Sequence, residues 1–128
     1  MAHHVSKTRF EELVELALAE LPERFKTFLE SVPVQIETRP TRRMLRSLGL
    51  DEDQLLFGLY QGANLMHSAE WEGRGTPVPN HILIFQEDHE LASDSEADLV
   101  REVRKTVLHE IGHHFGMDED DLDRLGYG

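Results

Sequence analysis

Val107-Leu108-His109-Glu110-Ile111-Gly112-His113-His114-Phe115-Gly116 is the stretch whose reading decides the fold. It carries His-Glu-x-x-His at the end of a long segment with helical periodicity. On an α-helix, residues i and i+4 lie one turn apart on the same face. The imidazoles of His109 and His113 can therefore close on one ion, at about 2.0–2.1 Å per nitrogen for zinc. Glu110, directly after the first histidine, falls beside such an ion, where it can take a proton from bound water. Val100, Val103, Val107, Ile111 and Phe115 form an apolar stripe. At about 100° per residue that stripe is centred away from the histidines, which share a neighbouring stripe with Glu102 and Thr106. The helix is expected to bury one flank and present the histidine pair to a cleft.

The motif's surroundings raise its specificity. A shuffled chain of this composition shows His-Glu-x-x-His about 6% of the time, and about 0.1% of the time once the later glycine and acid are required. Ser95 is placed to open the motif helix, with Asp98 three residues on as an imperfect capping box. Gly116 is a suitable residue to turn the chain sharply after it. A catalytic zinc normally has three protein ligands and an open fourth position. A glutamate twenty or more residues after His113 would fall near or beyond Gly128, which directs attention to the nearer acidic run. Counting from the Gly116 turn, the third ligand is expected at Glu119, with Asp118 and Asp120 as its nearest rivals. The same run also suits the first turn of a final helix, where negative charge is favoured. His114 lies one residue off the ligand face and reads as a residue that supports the metal site from behind the ligands or packs between helices, not as a ligand. His67, His81 and His89 read as surface or strand histidines, and His3 and His4 are given no role.

Working outward, residues 6–20 predict a helix capped by Ser6 or Thr8, with Phe10, Leu13, Leu16 or Ala17, and Leu21 at helical spacing. Pro22 ends or kinks it, and a short helical turn follows through Phe25, Phe28 and Leu29. Residues 33–37 alternate as a first strand, and Pro40 starts a short helix stopped by Gly49. Leu55 to Gly62 reads as a second strand whose two glycines signal a bend or a close backbone approach. Residues 63–79 read as a loop or hairpin arm. Asn80 to Gln86 is the clearest strand, and a last helix runs from Glu119 to about Leu125. Residues 1–128 form one α+β domain on this reading, which suits a chain of 128 residues.

Composition narrows the chemistry. There is no cysteine, which excludes thiolate metal sites, iron–sulfur centres and a cysteine nucleophile. The net charge is −12 and is uneven: residues 1–85 hold 12 acids and 9 bases, residues 86–128 hold 13 acids and 4 bases. Such a balance argues against nucleic acid as a partner, because phosphate backbones are bound by basic faces. No run approaches the roughly 18 apolar residues of a membrane span. Met1 to Phe10 has no apolar signal core, so a cytoplasmic protein is expected.

HEIGHHFG followed by an acidic run resembles the small bacterial zincin-like metallopeptidases, a minimal zincin domain. LLFGLYQG (residues 55–62) and PNHILIFQ (residues 79–86) resemble the same family, so the likeness spans at least residues 55–125, the N-terminal third being less diagnostic. It implies a compact α+β fold with a short mixed sheet, an N-terminal helix, a long active-site helix, a short C-terminal helix and zinc peptidase activity. By position, His109 and His113 match the family's ligands and Glu110 its general base, while Glu119 stands where the extended motif places an aspartate. The longer metzincins carry a Met-turn well downstream, whereas Met117 lies inside the motif here. The expected function is therefore hydrolysis of peptide bonds with one Zn²⁺ per chain. Peptides or flexible protein segments would be the substrates. Candidate oxyanion donors are Tyr60, Arg74, His81 and Tyr127. If Asn80 to Gln86 were an edge strand, an extended peptide could pair with it. Two alternatives are a metal-dependent endoribonuclease and a non-catalytic metal-binding interaction domain.

Overall fold

Side-chain caps set the starts of three helices, and glycines the ends of two. In the computed structural model, residues 2–61, 80–117 and 119–124 are described, apart from the side chains of residues 119, 122 and 123. Ser6, not Thr8, caps α1 (Lys7–Ala19), its hydroxyl accepting from the Arg9 N–H at 3.0 Å. Pro22 then separates α1 from α2 (Glu23–Leu29). After β1 (Val34–Glu37), Thr41 caps α3 (Arg42–Ser47), which stops at Gly49 with φ +73°. The second strand is β2 (Gly58–Gln61), which starts three residues later than the expected Leu55, and the third is β3 (His81–Phe85). Residues 63–79, expected to be a loop or hairpin arm, lie outside the described residues, as does Gly62.

One helix has no counterpart in the sequence reading. β3 runs directly into α4 (Gln86–Leu91), whose N-cap, Phe85, offers no side-chain cap. Glu87 and Asp88 in its first turn were the available signal. α5 (Glu96–His114) then starts as expected: Ser95 Oγ accepts from the Asp98 N–H, and Asp98 Oδ2 accepts from the Asp94 N–H, each at 3.1 Å. It ends at Gly116, φ +76°, where the Met117 N–H donates to the Gly112 carbonyl at 2.7 Å and the Gly116 N–H to that of His113 at 3.0 Å. That pair of bonds is a Schellman turn, and the positive φ is what a glycine permits without a Cβ penalty. α6 (Glu119–Arg124) follows.

The sheet order is β1-β3-β2, with β1 parallel and β2 antiparallel to β3. β3 is therefore the central strand, which overturns its reading as a possible edge. All five of its residues are buried, as befits a continuous apolar run covered on both faces. Among the described residues, the edge beside the motif belongs to β2. Ile82 and Ile84 join Phe10, Leu13, Ala17, Val103, Val107, Leu108 and Ile111 in one core between the sheet, α1 and α5. The α5 stripe is centred on Leu99, Val103, Val107 and Ile111, all 0% exposed. Val100 and Phe115, expected in that stripe, sit at its margin, and Phe115 is 41% exposed. Of the two α1 options, Ala17 is buried and Leu16 faces out. The architecture is thus α+β with a small mixed sheet, as the sequence predicted.

The N-terminal arm is also tied down. Buried Glu90 on α4 accepts from the Val5 N–H at 2.9 Å and from Gln86 Nε2 at 3.1 Å, and His4 Nδ1 lies 3.2 Å from its other oxygen. Burial alone would raise the Glu90 pKa, and these donors outweigh it, leaving the carboxylate below its ordinary value.

Candidate metal centre and active site

The last turns of α5 carry the candidate chemistry. His109, Glu110 and His113 lie there on one helix, with His109 and Glu110 half-buried and His113 exposed. The two imidazole centroids are 6.4 Å apart with ring planes inclined by 38°. A tetrahedral ion shared by two imidazoles brings their centroids to about 5 Å. The pair stands wider than that, with His113 exposed to solvent, so it is the donor chemistry and the shared helix face that fit a zinc ion. Two imidazole nitrogens completed by a carboxylate are a donor set that zinc accepts. Among the described residues no group of three or more His, Asp or Glu is clustered tightly enough to hold a metal. Glu119 opens α6, directly after the Gly116 turn, but its side chain and all of Asp118 lie outside the described residues. Asp120, the other rival for the third position, is exposed.

Strand β2 approaches this helix end closely, and the reason is Gly58. A Cβ at residue 58 would stand 2.5 Å from Thr106 Cγ2 and 3.1 Å from the Leu83 carbonyl oxygen. The close backbone approach expected of a glycine in this strand is therefore present at Gly58. Thr106 cannot easily turn aside. Its hydroxyl sits between His89 Nε2, at 3.0 Å, and the Glu102 carbonyl, at 2.9 Å. One step further along each element, the Tyr60 N–H donates to Glu110 Oε1 at 2.8 Å. Sequence reasoning missed this contact, since it joins residues 50 apart through a backbone group that no side-chain pattern announces.

The remaining expected residues divide clearly. The Tyr60 ring stacks on His114 at 5.3 Å and lies 6.3 Å from Phe28, so His114 is a packing residue, one of its two expected roles. The Tyr60 hydroxyl is buried with no hydrogen-bond partner among the described residues, and burial raises its pKa. Tyr60 pairs with Ile82 and so shares the sheet face turned to α5. His81 points to the opposite face, 3.2 Å from Gln61 Oε1, and is thereby removed from the oxyanion candidates beside the motif. Arg74, Tyr127 and His67 lie outside the described residues. His89, expected at the surface or on a strand, is instead on α4 and fully buried. Its Nδ1 bonds the Phe85 carbonyl at 2.9 Å, its ring meets Phe57 at 5.1 Å, and burial lowers its pKa.

A small mixed sheet with an antiparallel edge strand laid against a helix that bears His-Glu-x-x-His defines a zincin-type domain. The family profile of zincin-like metallopeptidases matches residues 29–128, and the chain belongs to that family. The match starts well before residue 55, where the sequence resemblance began, and takes in β1 and α3. No curated protein matches the chain. The family implies zinc binding and hydrolase activity in general terms. No helix among the described residues is long and apolar enough to cross a membrane.

Proposed function

We propose that this protein is a zinc-dependent peptidase acting on peptides or flexible protein segments, with Glu110 as general base. The observation that carries the reading is that His109, Glu110 and His113 share the last turns of α5, with the Glu110 carboxylate held at β2 by the Tyr60 N–H. His109 and His113 would hold one zinc ion per chain, with Glu119 supplying the third ligand. When bound, zinc supplies a Lewis acid that lowers the pKa of a water and polarises the scissile carbonyl. Glu110 takes a proton from the attacking water and returns it to the leaving amine nitrogen. The outer backbone groups of β2 other than the Tyr60 N–H, which Glu110 occupies, offer an extended substrate a strand to lie along. Tyr60, on the α5 side of that strand, is the described hydroxyl best placed to donate to a developing oxyanion.

The strongly acidic net charge supports peptide over RNA as substrate. Glu110→Gln tests the mechanism on a mixed peptide library read by mass spectrometry. The variant is expected to keep its metal and lose at least about 100-fold in rate, the usual scale for removing a general base. An undiminished rate in the variant would exclude Glu110 from that role.

A further inference from the structure

Glu110 is the residue on which the proposed chemistry turns, and a carboxylate base works only if one oxygen is held towards the proton it takes. The α5 helix fixes where the Glu110 side chain starts but not how its carboxylate is turned. Resting on the peptidase reading above, we infer that the main-chain N–H of Tyr60 is the positioning group for the Glu110 carboxylate. It holds Oε1 on the outer edge of β2 and leaves Oε2 to face the water.

Three observations converge on this. The first is the bond itself, 2.8 Å from Tyr60 N to Glu110 Oε1. No donor is recorded on Oε2 among the described residues. The second is the register. Gly58 stands opposite Ile84 and Tyr60 opposite Ile82, while the Phe85 N–H donates to the Phe57 carbonyl at 3.0 Å. Hydrogen-bonded pairs alternate along an antiparallel ladder, so residues 57, 59 and 61 bond to β3 and the N–H of Tyr60 points outward. That outward group meets a glutamate where an edge strand would otherwise await another strand. The third is the spacing. Two residues of strand advance about 6.7 Å and four of helix about 6 Å. The Gly58–Thr106 approach and the Tyr60–Glu110 bond are thus successive rungs of one strand–helix contact. Gly58 is the position that lets the second rung form.

Because the Tyr60 N–H takes no part in the ladder, Tyr60→Pro deletes this one donor from an edge strand, a place where proline is tolerated. Tyr60→Ala removes the same ring while keeping the N–H and is the reference. Tyr60→Pro is expected to bind zinc as Tyr60→Ala does, with a similar KM and a kcat lower by a further factor of about 10–100. Equal kcat in the two variants overturns the inference. A second measurement needs neither metal nor turnover. In zinc-free protein, amide hydrogen exchange at Tyr60 should speed up at least about tenfold in Glu110→Ala. In Glu110→Gln it should stay close to wild type, because a carboxamide oxygen still accepts the bond. Unchanged exchange in Glu110→Ala overturns the contact, and with it the inference, even if Tyr60→Pro fails to fold. Loss of the peptidase reading would look different: no hydrolysis by the wild-type protein, with the exchange difference intact.

Discussion

Gly58→Ala is the substitution whose outcome the structure fixes most closely. The new methyl would stand 2.5 Å from Thr106 Cγ2, against the roughly 3.5–4.0 Å of a relaxed carbon contact. Thr106 is held by its hydroxyl between His89 and Glu102, so β2 must move out by about 1 Å. Such overpacking costs about 1–3 kcal/mol, a fall in Tm of roughly 4–11 °C for a domain of this size. The same displacement stretches the 2.8 Å bond from Tyr60 to Glu110 beyond the usual 2.7–3.2 Å range, so peptidase kcat should fall along with stability. Thr106→Ser removes the obstructing methyl and keeps the hydroxyl. Alone it should cost about 0.8 kcal/mol of burial. Combined with Gly58→Ala it should recover at least about 1 kcal/mol relative to the sum of the singles. Urea unfolding of the four zinc-free proteins measures this cycle. Strict additivity, or a Gly58→Ala variant as stable as wild type, would refute the close-approach argument.

Two further outcomes follow from the same structure. His89 is buried with a lowered pKa, so the unfolded chain takes up a proton there that the native state resists. Its contribution is complete above the unfolded value near 6.5 and is lost as pH falls towards the lowered folded value, with a slope of at most about 1.4 kcal/mol per pH unit. Denaturant titrations of zinc-free protein at pH 7, 6 and 5 should show a fall that is shallower in His89→Gln; equal slopes would remove His89 as the cause. For the third ligand, Glu119→Ala should weaken zinc at least about 100-fold in a chelator competition while Asp120→Ala changes it little, and the reverse order would transfer the role.

What the sequence made legible is what depends on neighbours along the chain. Ser95 with Asp98, the Gly116 turn and the i, i+4 histidines are all local, and α5 carries them nearly to the residue. The place of β3 at the centre of the sheet depends on partners some 25 and 50 residues away. Its unbroken run His-Ile-Leu-Ile-Phe was nonetheless a signal for burial on both faces. α4 escaped because it begins on an uncapped phenylalanine directly at a strand end. His89 escaped with it: its Phe85 partner is one turn back at the start of the unforeseen α4, and only the tertiary fold brings Thr106 to its other nitrogen. Likewise the sequence could read Gly58 as a close approach, but not that Thr106 is what it approaches or that Glu110 is what the strand then reaches.

The account rests on a metal held by the α5 histidines, and bound metal is the direct test. Protein purified without a nickel column, reconstituted with zinc at neutral pH and weighed under native conditions should carry about one zinc per chain. His109→Ala and His113→Ala should each carry essentially none. A wild-type chain that binds no zinc, or a His109→Ala variant that binds as much as wild type, would contradict the claim that His-Glu-x-x-His in this protein is a metal site.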